Sequence, residues 1–205
     1  MDIIVNKAEY ETSRNAFVSV GERLQYEIDQ LVATLMGGCG VEGKTRDELV
    51  KLGSSIKAKL GNVGSHLKAC GKIMAGFSQA ISDADDGHDV VTYVNTDDDS
   101  IKHGSDVLGD SIKQIGIDYE TTDSAKMKIA EIAERCREMS KDLSGHIQRS
   151  QGNMAEQTLQ TVDTAQTVCE SIALLCNRVI SDLESISTGY QEHEGLLSAV
   201  FEQKN

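Results

Sequence analysis

The sequence predicts an all-α protein in which two long helical hairpins pack as an antiparallel four-helix bundle with one long crossover. Its 205 residues include no Pro, so no residue breaks a long helix by fixing φ and removing an amide donor. Only 4% of the residues are aromatic, and a core of small and aliphatic side chains is typical of helices packed on helices. The chain also repeats its own pattern at an offset of 109 residues.

The repeat consists of a short motif and a longer apolar series. Tyr10-Glu-Thr-Ser13 recurs as Tyr119-Glu-Thr-Thr122. The apolar series of the first copy is Val63, Leu67, Cys70, Met74, Phe77 and Ile81, and its counterpart is Ile172, Cys176, Val179, Leu183, Ile186 and Tyr190. Each copy therefore predicts one helical hairpin, whose apolar stripe is buried only when it packs against the other copy.

The first hairpin is predicted over residues 1–82. Two patterns of the capping-box type, Asn6-x-x-Glu9 and Thr45-x-x-Glu48, predict the starts of its helices. Glycines between 37 and 40 end the first helix, because glycine adopts left-handed conformations at low cost. Further glycines in the second helix predict a face on which another helix packs closely: Gly53, Gly61, Gly64, Gly71 and Gly76.

The second hairpin and a C-terminal tail are predicted over residues 118–205, with Asn153-x-x-Glu156 as the cap of the last helix. Apolar residues at helical spacing predict the buried face of the first helix in each hairpin. In the first copy they are Phe17, Val20, Leu24, Ile28, Leu31 and Leu35. In the second copy they are Ile129, Ile132, Cys136, Met139, Leu143 and Ile147.

Residues 83–117 join the hairpins as an acidic connector. Residues 83–118 contain two basic and ten acidic side chains, a net charge of −8. The connector also predicts a short amphipathic helix that carries Ile101, Leu108, Ile112 and Ile115. A helix of about 38 residues spans about 57 Å, and a connector of about 34 residues covers most of that distance at up to ~3.3 Å per residue. This length predicts hairpins that lie antiparallel to each other.

Charge and cysteine content restrict the class of partner. The net charge of −13 disfavours nucleic acid and anionic lipid, which both require a basic surface. No apolar run approaches the ~18 residues of a membrane span, so membrane insertion is not expected. The five Cys form no Cys-x-x-Cys pair and predict reduced core residues. The N-terminus has no Sec-type signal pattern, so synthesis in the cytoplasm is expected.

An enzymatic function is not expected, and neither is a cofactor. The sequence contains no G-x-S-x-G and no H-E-x-x-H. The acidic run from Asp85 to Asp89 predicts a solvated linker rather than a metal site. Residues 38–45 match the phosphate-loop pattern G-x-x-x-x-G-K-T, with Lys44 as its lysine. A functional phosphate loop follows a buried strand, whereas an amphipathic helix precedes this one. Nucleotide binding remains a minor alternative.

Two further patterns resemble the W-x-G superfamily of type VII (ESX-type) secretion substrates, whose helical hairpins carry a W-x-G turn and a Y-x-x-x-[DE] tail. Tyr190-Gln-Glu-His-Glu194 matches the tail, and Ser150-Gln-Gly152 stands 40 residues before it as the hairpin turn. The first copy repeats this spacing between Val41-Glu-Gly43 and Ile81-x-x-x-Asp85. Both copies retain the Gly and the acidic residue but lack the Trp.

The resemblance implies a non-enzymatic tandem protein that is secreted without a Sec-type signal peptide. It implies that Tyr190 and Glu194, one helical turn apart, are bound by a secretion ATPase or channel component. The protein is then a small secreted substrate or the targeting partner of a larger helical effector. The alternative is a cytosolic helical adaptor or scaffold whose grooves bind partner helices.

Overall fold

The computed structural model describes residues 7–72, 116–150 and 156–202. They form four α-helices: α1 (Lys7–Met36), α2 (Lys44–Leu60), α3 (Tyr119–Ser150) and α4 (Glu156–Glu202). The chain turns at residues 61–62 and is helical again over 63–72. These ranges contain no β-strand, so the predicted all-α bundle is confirmed. The predicted short helix of the connector lies outside the described residues, as do Asn6, Gly76 and Asn153.

The two hairpins pack against each other through α1 and α3, while α2 packs on α1 and α4 packs on α3. Ser13 Oγ near the start of α1 lies 3.4 Å from His146 Nδ1 near the end of α3. Thr122 Oγ1 near the start of α3 donates a 3.0 Å hydrogen bond to the carbonyl of Cys39 after α1. The hairpins are therefore antiparallel, as predicted, and the last residues of α1 and of α3 lie at opposite ends of the bundle.

The repeated motif makes equivalent contacts in both hairpins. Ser13 and Thr122, which are 109 residues apart, are 2% and 0% exposed. The Ser13 hydroxyl contacts His146 near the end of α3, and the Thr122 hydroxyl donates to the carbonyl of Cys39 just after α1. The sequence repeat thus corresponds to an approximate two-fold relation between the hairpins. This relation explains why a Ser or Thr closes the motif in both copies, since a buried polar atom requires a hydrogen-bond partner.

The connector joins two described segments that lie at opposite ends of the bundle. Gly71, near the end of the first segment, lies against the backbone of Arg14 and the side chain of Val18 at the start of α1. Gly116, where the second segment begins, accepts a 3.0 Å hydrogen bond from the amide of Glu42, just beyond the end of α1. The described residues that flank 73–115 therefore lie at opposite ends of the bundle, as a long crossover between antiparallel hairpins requires.

The predicted apolar faces of α1 and α3 form the core. Six residues of α1 and five of α3 are at most 3% exposed: Phe17, Val20, Leu24, Ile28, Leu31, Leu35, Ile129, Ile132, Cys136, Met139 and Leu143. From α4, Val162, Ile172 and Leu183 complete it, with the last two about three helical turns apart. At 1.5–3 kcal/mol for each large side chain that is fully buried, this aliphatic core is the main source of stability.

Glycines determine how closely α2 and the following helical residues approach α1. Gly53, Gly64 and Gly71 all face α1, as the sequence predicted. Two other sequence predictions in this part of the chain were wrong, one for Gly61 and one for Thr45. Gly61 ends α2, where its amide bonds the carbonyl of Lys57. The Thr45 capping box is absent, because α2 already begins at Lys44 and its N-cap makes no side-chain hydrogen bond.

We expect the free energy of unfolding to fall steeply with alkaline pH because of buried thiols. All five cysteines are free and buried. Burial raises the pKa of Cys136, Cys169 and Cys176 from 9.0 to about 12. Since the folded-state pKa is raised, the stabilisation is complete below the unfolded-state pKa near 9.0 and is lost as pH rises towards 12.

Urea unfolding followed by circular dichroism across this pH interval measures the effect. Lysine and tyrosine side chains also ionise in alkali, so the matched control is the variant in which Cys136, Cys169 and Cys176 are all Ala. The control retains only the part of the pH dependence that other groups produce. Parallel curves for the two proteins would contradict the expected role of the thiols.

Candidate functional site

The first hairpin turn is fixed by consecutive residues in left-handed conformations. Gly38, Cys39 and Gly40 have φ of 83°, 51° and 76°. A Cβ on Gly40 would lie 2.8 Å from both the Asp118 carbonyl oxygen and the Thr122 amide nitrogen. Glycine is therefore required at position 40, where the turn lies directly on the start of α3.

The chain segment before α3 pairs with this turn. Val41 and Ile117 form an isolated antiparallel bridge. The Glu42 amide donates a 3.0 Å hydrogen bond to the Gly116 carbonyl, and the Asp118 amide donates a 2.8 Å bond to the Gly40 carbonyl. Val41 is only 2% exposed and belongs to the core. The turn is consequently held by backbone hydrogen bonds to the segment before α3 and by burial of Val41.

Asp118 directly precedes α3 and caps its N-terminus. Its carboxylate accepts hydrogen bonds from the Thr121 hydroxyl at 2.7 Å and from the Thr121 amide at 3.2 Å. These two bonds hold the pKa of Asp118 below its usual value, the hydroxyl contact being the larger cause. The carboxylate therefore remains ionised at neutral pH and stabilises the N-terminus of α3.

An open cavity of about 570 Å³ lies between the turn and the start of α3. Its charged side chains are Asp118, Glu42 and Arg46, and the last two form an exposed ion pair at 3.4 Å. Its remaining lining residues are Gly37, Gly40, Val41, Gly116, Ile117 and Thr121. Val41 and Ile117 are the large apolar residues in this lining.

The tail of the second hairpin lies at the same end of the bundle. The Tyr119 hydroxyl donates a 3.4 Å hydrogen bond to Glu194 Oε2. Burial, and next the charge of Glu194, raise the pKa of the Tyr119 phenol, so the hydroxyl remains protonated at neutral pH. Tyr190 is half-buried and Glu194 is exposed. Tyr190 lies one helical turn before Glu194 on α4.

We call this end of the bundle the turn end; it comprises residues 37–43, 116–119 and 190–194. The sequence analysis assigned Tyr190 and Glu194 to the tail of the second hairpin, and Ser150 and Gly152 to its turn. Ser150 is the last residue of α3, at the opposite end of the bundle from the tail. Gly152 and the side chain of Ser150 lie outside the described residues. The tail meets the turn of the other hairpin, which contains Val41 and Gly43.

Sequence reasoning missed Tyr119 as a member of this site. One signal was present, because Tyr119 opens the second copy of the repeated motif. Antiparallel packing of α3 on α4 supplies the other, since the cross-helix pairs Arg137–Asn177 and Tyr119–Glu194 have nearly equal sums of residue numbers. Once the register of the hairpin is known, Tyr119 is the expected neighbour of Glu194.

The phosphate-loop pattern at residues 38–45 does not adopt a free loop of amides. The amides of Val41 and Glu42 already donate to the carbonyls of Gly38 and Gly116. The element before the loop is α1, and Lys44 is the first residue of α2. This geometry differs from a phosphate loop, in which backbone amides stay available to the ligand after a buried strand.

Within residues 7–72, 116–150 and 156–202, no cluster of three or more His, Cys, Asp or Glu is arranged to hold a metal ion. In these same ranges, no helix has the length and apolar character needed to cross a bilayer.

Comparison with protein-family models, with curated proteins and with solved structures gives no match for this chain.

Proposed function

We propose that this chain is a non-enzymatic, tandem W-x-G-like protein of a type VII secretion pathway. It acts as a small secreted substrate or as the targeting partner of a larger helical effector. The partner that binds it is a secretion ATPase or channel component. Synthesis in the cytoplasm followed by export without a Sec-type signal peptide is part of this proposal.

One observation supports the proposal most directly: the tail and the first turn form a single surface. Tyr119 joins them, because its backbone follows Asp118 on the turn while its hydroxyl reaches Glu194. A partner that binds this surface contacts both hairpins at once. It therefore distinguishes the folded tandem from either hairpin alone, which is a useful property for selecting an export-ready substrate.

The chemistry of the turn end suits recognition by another protein. Tyr190 and Glu194 are one helical turn apart on α4, so an aromatic ring and a carboxylate face the same side. A half-buried tyrosine combines apolar area with a polar hydroxyl, and such residues are common at the centres of protein interfaces. Backbone hydrogen bonds fix the conformation of the turn before a partner binds, and such preorganisation reduces the entropy cost of binding.

Export is expected to require Tyr190 and Glu194. Tyr190→Ala or Glu194→Gln removes a group that the partner binds, and we expect the amount of secreted protein to fall at least about tenfold, which corresponds to about 1.4 kcal/mol of lost binding. The measurement is an immunoblot of culture supernatant and cell lysate from a host with an active type VII system. Glu192→Gln is the matched control, because Glu192 is exposed on the same helix.

Both variants should leave the bundle folded, since Glu194 is exposed and Tyr190 lies outside the buried core. Circular dichroism of the purified proteins verifies this point. Equal secretion of Tyr190→Ala, Glu194→Gln and the parent protein would exclude the tail as the export signal. Loss of secretion with Glu192→Gln as well would show a general charge effect instead of a specific site.

A further inference from the structure

We propose that Glu27 and Arg135 specify which hairpins pair: the face of α1 that packs on α3 accepts α3 and rejects the same face of a second α1. Glu27 meets Arg135 near the middle of α3, with Glu27 Oε1 2.6 Å from Arg135 Nε. Opposite charges at this point favour pairing of the first hairpin with the second. The same charges oppose pairing of two first hairpins, or of two second hairpins, from different chains.

Glu27 and Arg135 occupy equivalent positions in the two copies of the repeat. From residue 24 onward, the buried positions of α1 recur in α3 at an offset of 108, one fewer than in the motif at the start of the helices. The matched residues are all at most 1% exposed: Leu24 with Ile132, Ile28 with Cys136, Leu31 with Met139, and Leu35 with Leu143. Arg135 follows Glu27 by the same 108 residues, so each is the counterpart of the other.

The approximate two-fold axis that relates the hairpins therefore passes beside this ion pair. A residue on a two-fold axis contacts its own counterpart, whereas a residue away from the axis contacts a different position. Arg23 is such a residue, because it lies 3.9 Å from Glu138 and 3.7 Å from Asp142 of α3, while its counterpart at the offset of 108 is Glu131. The ion pair thus places opposite charges at one shared position of the repeat.

Pairing of like hairpins in this geometry brings like charges together. Two α1 faces would place Glu27 of one chain against Glu27 of the other, on a side chain that is only 5% exposed. Two α3 faces would place Arg135 against Arg135, and Glu131 against Glu138 and Asp142. Repulsion between like charges is strongest where water is excluded, and such repulsion is a common means of rejecting a wrong partner. Both like pairings are therefore disfavoured.

The same charges define the helix that can replace either hairpin. A helix that binds the α1 face must carry a cation opposite Glu27, and one that binds the α3 face must carry an anion opposite Arg135, since a buried charge requires a counter-charge. A second copy of the chain meets this requirement only by exchange, in which each first hairpin packs on the second hairpin of the other chain. In the parent protein the tether between the hairpins gives a high effective concentration and keeps the pairing intramolecular.

Charge reversal in the full chain tests the proposal. Glu27→Lys leaves two cations at the axis and Arg135→Glu leaves two carboxylates, so intramolecular pairing is repulsive in each variant. When the two variants are refolded together from urea in equal amounts, exchange of hairpins brings opposite charges together at both axes. We expect a mixed dimer with twice the 22.2 kDa mass of the chain, at least about tenfold more abundant than the dimer of either variant alone. Size-exclusion chromatography with light scattering measures it.

Two controls separate selective pairing from a folding defect. A chain that carries both Glu27→Lys and Arg135→Glu has opposite charges at its own axis and should be a folded monomer. In Arg137→Glu the reversed residue has the same 39% exposure as Arg135 but contacts Glu134 of its own helix and Asn177 of α4, so mixing with Glu27→Lys should give no excess of dimer. If Glu27→Lys alone is unfolded, its gain of helicity on addition of Arg135→Glu, seen by circular dichroism, reports the same selective pairing.

Three results would overturn the proposal. The first is a mixed dimer no more abundant than the dimers of the separate variants, without a gain of helicity on mixing. The second is dimerisation or unfolding of the chain with both reversals, because opposite charges at the axis would then not be sufficient for pairing. The third is an equal excess of dimer with Arg137→Glu, which would show a general effect of net charge.

Discussion

Replacing Gly64 by Ala is expected to lower the free energy of unfolding by about 3 kcal/mol, at the upper end of the range for overpacked sites. A Cβ on Gly64 would collide with the carbonyl oxygen of Gly21 on α1, and it would lie 2.9 Å from the amide nitrogen of Gln25. Both groups are backbone atoms of a helix that is buried on its other side. They cannot move aside as the end of a flexible side chain does, so α1 and the segment after α2 must separate.

The same contact is seen from the other helix. A Cβ on Gly21 would lie 2.7 Å from the Gly64 carbonyl oxygen and 2.9 Å from the Lys68 amide nitrogen. We therefore expect Gly21→Ala to be destabilising as well. Each substitution adds a methyl group to the same contact between α1 and the segment after α2. Once one methyl group has separated the two helices, the second meets less resistance, so the two effects should not add in the double variant.

Gly189→Ala is the control for both variants, and its effect should have the opposite sign. Gly189 lies within α4, and a Cβ there would have no neighbour within 4 Å. Alanine is favoured over glycine in a helix interior by about 0.5–1 kcal/mol, so this variant should be more stable than the parent. Urea unfolding monitored by circular dichroism measures all five proteins: the parent, the three single variants and the double variant. A Gly64→Ala protein as stable as Gly189→Ala would contradict the close approach.

Much of this fold follows from patterns that are local in sequence. The buried stripe of α1, from Phe17 to Leu35, repeats at helical spacing, and burial of an apolar stripe has few alternatives in a chain without Pro. The antiparallel arrangement followed from connector length, because chain geometry limits the distance that a segment spans. These predictions needed no knowledge of specific contacts between helices.

Local signals were less reliable at helix ends. Thr45 and Glu48 have the spacing of a capping box, yet Gly43 occupies the N-cap because the turn needs its φ of 77°. Five glycines in one helix predicted a single close face, but Gly61 ends the helix while Gly64 packs on α1. Identical residues differ in role according to which helix lies opposite them, and that is a tertiary property.

The candidate site was the hardest part to predict. Spacing in sequence connects Tyr190 with Ser150 in one hairpin, whereas antiparallel packing brings Glu194 to Tyr119 beside the turn of the other hairpin. The sequence repeat predicted that the hairpins pack together, but it did not predict which turn the tail on α4 would meet. That result depends on the direction and register of α1 against α3, which buried contacts such as Thr122 with Cys39 determine.

Removing Arg135 should destabilise the pairing of the two hairpins more than removing any exposed cation. Arg135 Nε of α3 lies 2.6 Å from Glu27 Oε1 of α1, and the Glu27 side chain is only 5% exposed. Contact with Glu27 is the main reason that the pKa of Arg135 is raised. The second oxygen of Glu27, Oε2, is buried without a hydrogen-bond partner, so the carboxylate depends strongly on this one ion pair.

In Arg135→Met, the Glu27 carboxylate remains in the core without its counter-charge. Breaking a fully buried pair costs about 3–5 kcal/mol, and because Arg135 is 39% exposed we expect a loss near the lower limit. The matched control is Arg137→Met, since Arg137 has the same side-chain exposure of 39% but pairs with the exposed Glu134. A surface pair of this kind contributes about 0–1 kcal/mol.

A double variant separates the cost of an unpaired charge from the loss of an attraction. Glu27→Leu together with Arg135→Met replaces the pair by apolar groups of similar size, which is often neutral or stabilising in a protein interior. We therefore expect the double variant to recover most of the stability that Arg135→Met loses. Urea unfolding of the four proteins in the thermodynamic cycle gives the coupling free energy directly. A double variant less stable than Arg135→Met would mean that Glu27 is held by contacts other than the ion pair, and that the buried carboxylate stabilises the hairpin interface in its own right.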